Sequence, residues 1–239
     1  MDKKNIKYYD AFSESYEVER HKGYHKMLDD LETQIVYKYL KESSNVLELG
    51  CGTGLILQRV KDRCKNSFGI DISLGMLKKA KPKKLNKILQ GDLTALPYKD
   101  DTFDLLYSFK VLAHVKEMKK AFSEFDRVLS KDGVMILEFY NKSSIRYLVK
   151  MLKSPTNTSK EFDDEAILTR YDSKNELKKL IGNDFHIEAI RGVRIFTVVA
   201  QLYKIPIISN IIDFLERKLC DSFLGNFGGF LILIIKRKN

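Results

Sequence analysis

The sequence predicts an α/β fold in which a mainly parallel sheet carries helices on both faces. Three observations predict it. Short apolar runs alternate with amphipathic segments from about residue 31 to 139, the order expected of βαβ units. One of these runs, VLEL, ends in glycines at 50, 52 and 54 and then passes into a helical pattern, a junction that places ligands at the carboxyl end of a sheet. Asp71 and Asp92 fall at or just beyond the ends of the next two candidate strands.

Taken in order, residues 27–41 read as a helix, 45–49 as a strand and 55–63 as a helix. A strand at 67–71 follows, then a helix at 74–80 behind Ser73 as N-cap, and a strand at 87–90. Residues 103–108 read as strand, 116–129 as helix and 133–139 as strand. Pro82, Pro97, Pro155 and Pro206 fall at punctuation points. Residues 141–170 break the alternation as a mobile polar connection with some helix. Residues 195–227 break it as an apolar stretch, which Lys204, Pro206 and Asp213 interrupt well before the ~20 apolar residues a membrane span requires. A helical hairpin packed on the core or capping a site is expected there. The continuous apolar run 229–235 is expected inside the sheet rather than at its edge.

A length of 239 residues favours one domain, divided into an amino-terminal region 1–44, a core 45–139, and two insertions at 140–170 and 195–227. Hydrophobic residues at 44% and charged residues at 31% exclude a disordered or membrane-spanning chain. No apolar segment follows the first lysines, so a cytoplasmic location is expected. Cys51, Cys64 and Cys220 show no metal-ligand spacing, and reduced thiols with no metal site are expected. The net charge of +10 can attract nucleic acid, anionic lipid or acidic small molecules, leaving peripheral membrane contact open. Its lysines are scattered, as in KKAKPKK at 78–84, which favours a solvated surface over a polyanion site.

The glycine spacing narrows the ligand. A dinucleotide fingerprint needs GxGxxG, whereas Gly50, Gly52 and Gly54 form GxGxG, and no GK[ST] follows to make a P-loop. Phosphate is therefore not the obvious guest. VLELGCGTG resembles motif I of the class I S-adenosylmethionine-dependent methyltransferases. GIDIS at 69–73 resembles the end of that family's second strand, and GDLTALPYKDDTFDLLYS at 91–108 its adenine-binding segment. The similarity covers about residues 5 to 139 and is closest to the small-molecule branch that includes ubiquinone and menaquinone methyltransferases. It implies a Rossmann-like, doubly wound seven-stranded sheet with an antiparallel last strand. It also implies S-adenosylmethionine as cofactor and S-adenosylhomocysteine as product.

By this resemblance Asp71 binds the two ribose hydroxyls, Asp92 meets the adenine amino group and Leu93 lies against the ring. Gly50, Cys51, Gly52, Gly54, Ile72 and Met76 complete that wall, with Ser108 and Phe109 beside the cofactor. Physical chemistry supports Asp71 on its own terms. It lies seventeen residues after Gly54, close to the ~20 that bring an acid to the next strand end, and an ionised carboxylate accepts two hydroxyl bonds well. A carboxylate inside a strand is costly unless partnered. Glu48 is therefore expected to face the cleft near the cofactor's cationic methionine end, the alternative being that it orders the glycine loop.

YYDAFSESYEVER at 8–20 resembles the family's YDxxAxxYDxxR helical flap. That similarity puts Tyr16 over the methionine end, Arg20 at its carboxylate and Tyr9 near the transfer path. SFKVLAHV at 108–115 resembles SxxxLHHV, with His114 at the second histidine position. A histidine there can act as general base, or can simply satisfy backbone groups. His21 and His25, four residues apart, are expected to share a helix face without making a metal site.

The expected activity is methyl transfer to a small, hydrophobic acceptor such as a quinone precursor, lipid, polyketide or sugar-like metabolite. RNA or protein methylation, and cofactor binding without turnover, are the alternatives. Against base methylation, residues 107–110 read YSFK rather than [DN]PP[YF].

Overall fold

Along the chain the elements are α1 (Lys3–Phe12), α2 (Gly23–Tyr39), β1 (Asn45–Leu49), α3 (Leu57–Val60), β2 (Asn66–Asp71), α4 (Leu74–Ala80), β3 (Ile88–Gln90) and β4 (Phe103–Ser108). After them come α5 (Met118–Val128), β5 (Leu129–Tyr140), α6 (Ile145–Leu152), α7 (Lys174–Ile181), β6 (Phe185–Val193), α8 (Pro206–Leu219) and β7 (Phe230–Arg237). The computed structural model describes residues 3–18, 20–152, 168–197, 203 and 205–238. The strands make one sheet in the order β3-β2-β1-β4-β5-β7-β6. Pairing is parallel from β3 through β5, and β7 runs antiparallel to both β5 and β6.

The sequence of β7 shows how the layers form. Leu231, Leu233 and Ile235 join one core with Phe122 and Phe125 of α5 and Leu177 and Ile181 of α7. Phe230, Ile232 and Ile234 join the other with Leu31 and Ile35 of α2, Leu57 of α3 and Leu77 of α4. A strand apolar at its first six positions, Phe230 to Ile235, is thus satisfied only between two helical layers, and β7 lies inside the sheet as its composition requires.

Several boundaries differ from expectation. α2 begins at Gly23, so His21 lies outside it and shares no helical face with His25. The helix expected at 55–63 is α3 followed by a 3-10 turn at Lys61–Arg63, because Leu55 and Ile56 are still in the glycine turn. α5 stops at Val128, and β5 starts at once with Leu129 opposite Phe103. The edge strand β6 and helix α7 were not expected. In residues 195–227 the described residues include helix α8 and a 3-10 turn at Phe223–Phe227, and the first arm of the expected hairpin falls largely outside the described residues. The parts of the two insertions at 153–167, 198–202 and 204 lie outside the described residues.

β6 is held by a close backbone approach and by buried charge. A Cβ on Gly192 would lie 1.9 Å from the carbonyl oxygen of Gly225, so the 3-10 turn lies directly on the strand. Arg191 donates from Nε and Nη2 to Asp221 (2.8 and 2.6 Å) and from Nη1 to the Leu31 carbonyl. Glu216 on α8 accepts the backbone N–H groups of Ile195, Phe196 and Thr197 at 2.9–3.1 Å. These bonds fix α8 to the chain leaving β6.

Candidate active site

The glycine turn after β1 is tied to β2: the N–H groups of Gly50 and Cys51 donate to the Ile70 carbonyl at 2.7 and 3.0 Å. Gly50, Gly52 and Gly54 have φ of 75°, 52° and 75°, the left-handed region that favours glycine. Their surroundings differ. A Cβ would meet Val111 at 2.4 Å from Gly50 and Leu85 at 2.3 Å from Gly54, but nothing within 4 Å from Gly52. Gly50 and Gly54 therefore serve packing as well as conformation, while Gly52 leaves its outer face bare.

Asp71, at the end of β2, faces that bare turn. Its Oδ2 accepts the Gly52 N–H at 2.7 Å and its Oδ1 accepts the Ser73 N–H at 2.9 Å. Burial pushes its pKa up to about 6, against the pull of those two backbone bonds. Each carboxylate oxygen still has a lone pair to offer. Ser73 caps α4 as expected, its hydroxyl accepting the Met76 N–H at 3.1 Å. Ile72 is half-buried, and Cys51 and Met76 are buried beside the turn.

Asp92 follows β3, half-buried, with Oδ1 accepting from the N–H and hydroxyl of Thr94 at 2.9 and 2.8 Å. Burial opposes its ionisation, but the Thr94 bonds help hold the pKa below the ordinary value. Leu93 is buried in the core next to it. At the end of β4 the Ser108 hydroxyl turns inward to the Leu49 carbonyl at 2.8 Å, and Phe109 packs on Tyr107. The glycine turn, Asp71, Asp92 and Ser108 thus lie along the carboxyl edge of four adjacent strands.

Glu48 is placed otherwise than expected. It is buried inside the fold rather than open to the cleft, with the Tyr107 hydroxyl donating to Oε2 at 3.3 Å. Burial pushes its pKa well above the carboxylate range, although bonds from Tyr107 and the Leu57 N–H work the other way. Its partners tie β1 to β4 and to the start of α3, just beyond the glycine turn.

The segment 8–20, expected as a helical flap, is helical only as far as Phe12; Tyr16 and Arg20 lie in the turns that follow. The serines explain the stop: Ser13 and Ser15 donate side-chain bonds back to the carbonyls of Asp10 and Phe12, competing with the helix backbone. α1 is fastened to the site by Asp10, whose Oδ1 accepts the Ser73 hydroxyl at 2.6 Å and the Gly75 N–H at 2.8 Å.

Arg20 lies over the Tyr16 ring and donates from Nη2 to Asp29 at 2.5 Å, while its buried Nε has no partner among the described residues. Asp29 and Glu32 on α2 also take Lys110, with Nζ at 3.0 and 2.7 Å. Lys110 follows Phe109 in the left-handed conformation (φ 62°), and its own N–H donates to Glu138 at the end of β5. Burial opposes charge on Lys110, but Glu32 and Asp29 outweigh it and raise the pKa. This cluster was missed from sequence. Its only signal was a lysine directly beyond an apolar strand end, with two acids three residues apart on a helix.

His114 stands between Tyr9 and Tyr140, with ring centroids 6.1 and 5.8 Å away. Nδ1 lies 2.7 Å from the Leu168 carbonyl, which can only accept, so the proton is assigned to Nδ1 and Nε2 is left with its lone pair. Burial lowers the pKa below the ordinary histidine value and keeps the ring neutral. His25 stacks on Tyr24, and burial with the charges of Arg20 and Lys110 lowers its pKa to about 4. Among the described residues no group of three His, Cys, Asp or Glu is placed to hold a metal.

Comparison with known proteins agrees with this arrangement. A family profile for methyltransferase domains matches residues 47–137, from β1 into β5. An uncharacterised protein of Methanocaldococcus jannaschii is 31% identical over 93% of this chain and 95% of its own length. A ubiquinone/menaquinone biosynthesis C-methyltransferase of Campylobacter jejuni is 34% identical over 44% of this chain and 49% of its own. The structure of magnesium protoporphyrin IX methyltransferase from Synechocystis with bound S-adenosylhomocysteine superposes with a TM-score of 0.60 at 19% identity, covering 90% of this chain and 84% of that one. The chain belongs to the class I S-adenosylmethionine-dependent methyltransferases.

Proposed function

We propose that this methyltransferase acts on a small apolar molecule, with S-adenosylmethionine seated over Gly52 and between Asp71 and Asp92. The residues present fit that cofactor. Gly52 offers a face without side-chain obstruction, and each Asp71 oxygen can accept a ribose hydroxyl. The unpartnered Arg20 Nε suits the methionine carboxylate, with Tyr16 beneath the guanidinium. Gly50, Cys51, Gly54, Ile72 and Met76 would shape the rest of this wall, Leu93 would meet the adenine, and Phe109 would border the methyl end. Ser108 and Glu48 would act from behind, holding the strand ends. The bound cofactor supplies an electrophilic methyl group on a sulfonium that leaves as a neutral thioether.

The observation that carries the acceptor assignment is the neutral His114 held between two tyrosine rings. Its Nδ1 is engaged by a carbonyl, so Nε2 can take the proton of a hydroxyl or acidic carbon as the acceptor attacks the methyl group. The rings suit an apolar or aromatic acceptor. Alignment supplies most of the remaining catalysis. The similar quinone-biosynthesis enzyme, a C-methyltransferase by name, fits this class.

The test is incubation with methyl-labelled S-adenosylmethionine and a cell extract split into organic-extractable, aqueous, RNA and protein fractions. Label in the organic-extractable fraction is expected. Label found only in RNA or protein would refute the proposal.

A further inference from the structure

We propose that the outer face of α8 docks this enzyme on an anionic phospholipid bilayer. The inner face of the helix is fully committed: Ile212 and Glu216 are buried, and Glu216 holds the backbone at 195–197. On the outside, Ile207, Ile211, Phe214 and Lys218 are spaced by four, three and four residues and form one stripe of a helix. All four are exposed, Ile207 by 75% and Phe214 by 61%. The chain continues from α8 into the 3-10 turn, where Phe223 is a further 75% exposed. Large aliphatic and aromatic side chains gathered this way are not the scattered single exposures of an ordinary surface.

Charge selects the occupant. The acids of α8 and the turn after it are engaged within the fold: Glu216 by backbone N–H groups, Asp213 by Arg217, which also takes Asp30, and Asp221 by Arg191. The outward stripe is therefore three apolar residues ending in a lysine, on a chain of net charge +10. An apolar helix face ending in a lysine, on a cationic body, complements a negative bilayer surface. A second copy would bring another +10 body against the same face, which charge repulsion opposes.

Position matters as well. Tyr203, just before α8, packs on Tyr24 at the start of α2, and Arg217 near its end pairs with Asp30 of α2. The first turn of α8 therefore lies near the α2 end that carries His25 and Asp29, the acid that pairs with Arg20 and Lys110. A bilayer on this face would be next to the mouth of the cleft. The docking itself does not depend on which acceptor is methylated.

The test is flotation of the full chain with vesicles of phosphatidylcholine alone and of phosphatidylcholine mixed with phosphatidylglycerol, at low and high salt. Binding to the mixed vesicles that weakens with salt is expected. Ile211→Glu with Phe214→Glu should lower the partition coefficient by about tenfold or more, and Lys218→Glu by about fivefold on anionic vesicles. Circular dichroism and cofactor calorimetry verify that the variants fold; should the double variant fail to fold, Phe214→Ser and Lys218→Glu carry the test. Equal binding to both vesicle types, or binding unaffected by the substitutions, would overturn the proposal. So would absent vesicle binding together with a concentration-dependent dimer that Ile211→Glu disperses.

Discussion

Cofactor affinity should depend on pH through Asp71. Burial raises the pKa of this carboxyl from 3.8 to about 6, so keeping it ionised at neutral pH costs about 3 kcal/mol in the free enzyme. A ribose diol donating two hydrogen bonds requires the ionised form, and binding must therefore drive off any proton present. The apparent dissociation constant then scales as one plus the ratio of proton concentration to the acid constant. From pH 7 to pH 5 affinity should fall about tenfold, or ~1.4 kcal/mol, and by about another tenfold at pH 4. The unliganded fold runs the opposite way. A raised carboxyl pKa contributes stability below the unfolded value near 4, and this is lost as pH rises through about 6. Isothermal titration with S-adenosylmethionine across this range measures the binding slope, and Asp71→Asn should remove both the slope and most of the affinity. A wild-type affinity that does not change between pH 7 and pH 5, or the same slope in Asp71→Asn, would refute the assignment.

Four further outcomes are expected. His114→Ala should lower turnover about a hundredfold or more while leaving cofactor affinity unchanged, and the acidic limb of the wild-type rate should lie below the ordinary histidine pKa because burial keeps the ring neutral. Gly52→Ala should cost about 1–2 kcal/mol of stability for its positive φ, without a steric clash, yet abolish detectable cofactor binding by calorimetry. Lys110→Met should destabilise by about 3–5 kcal/mol in urea because Asp29 and Glu32 lose a buried cation; adding Glu32→Gln should recover part of the loss. Gly192→Ala should cost about 3 kcal/mol, the upper end of overpacking, since the new Cβ has only the Gly225 backbone to displace; thermal unfolding measures it.

The parts of the fold legible in the sequence were those with one strong period or one strong local signal. β4 and α4 were read to the residue because the apolar run of β4 is sharply bounded and Ser73 caps α4. β6 was not read because it is an edge strand whose sequence mixes exposed His186 and Glu188 with buried Arg191 and Gly192. Its pairing is long-range, with β7, and nothing local announces it. In the site, Gly52 and Asp71 were legible because backbone freedom and a strand-end acid are sequence-local properties. Lys110 was not: its meaning comes from Asp29 and Glu32, 81 and 78 residues away. The partner of Glu48 was not legible because Tyr107 stands on the neighbouring strand.

The two hydrogen bonds that Asp10 accepts from Ser73 and Gly75 link the first helix to the proposed ribose wall. The same short stretch, Asp71 to Gly75, would line the ribose and also anchors α1. For a cofactor seated as proposed, the ribose wall and the first helix are then coupled through one carboxylate, so filling the ribose site would steady α1 and loosening α1 would weaken the grip on the ribose.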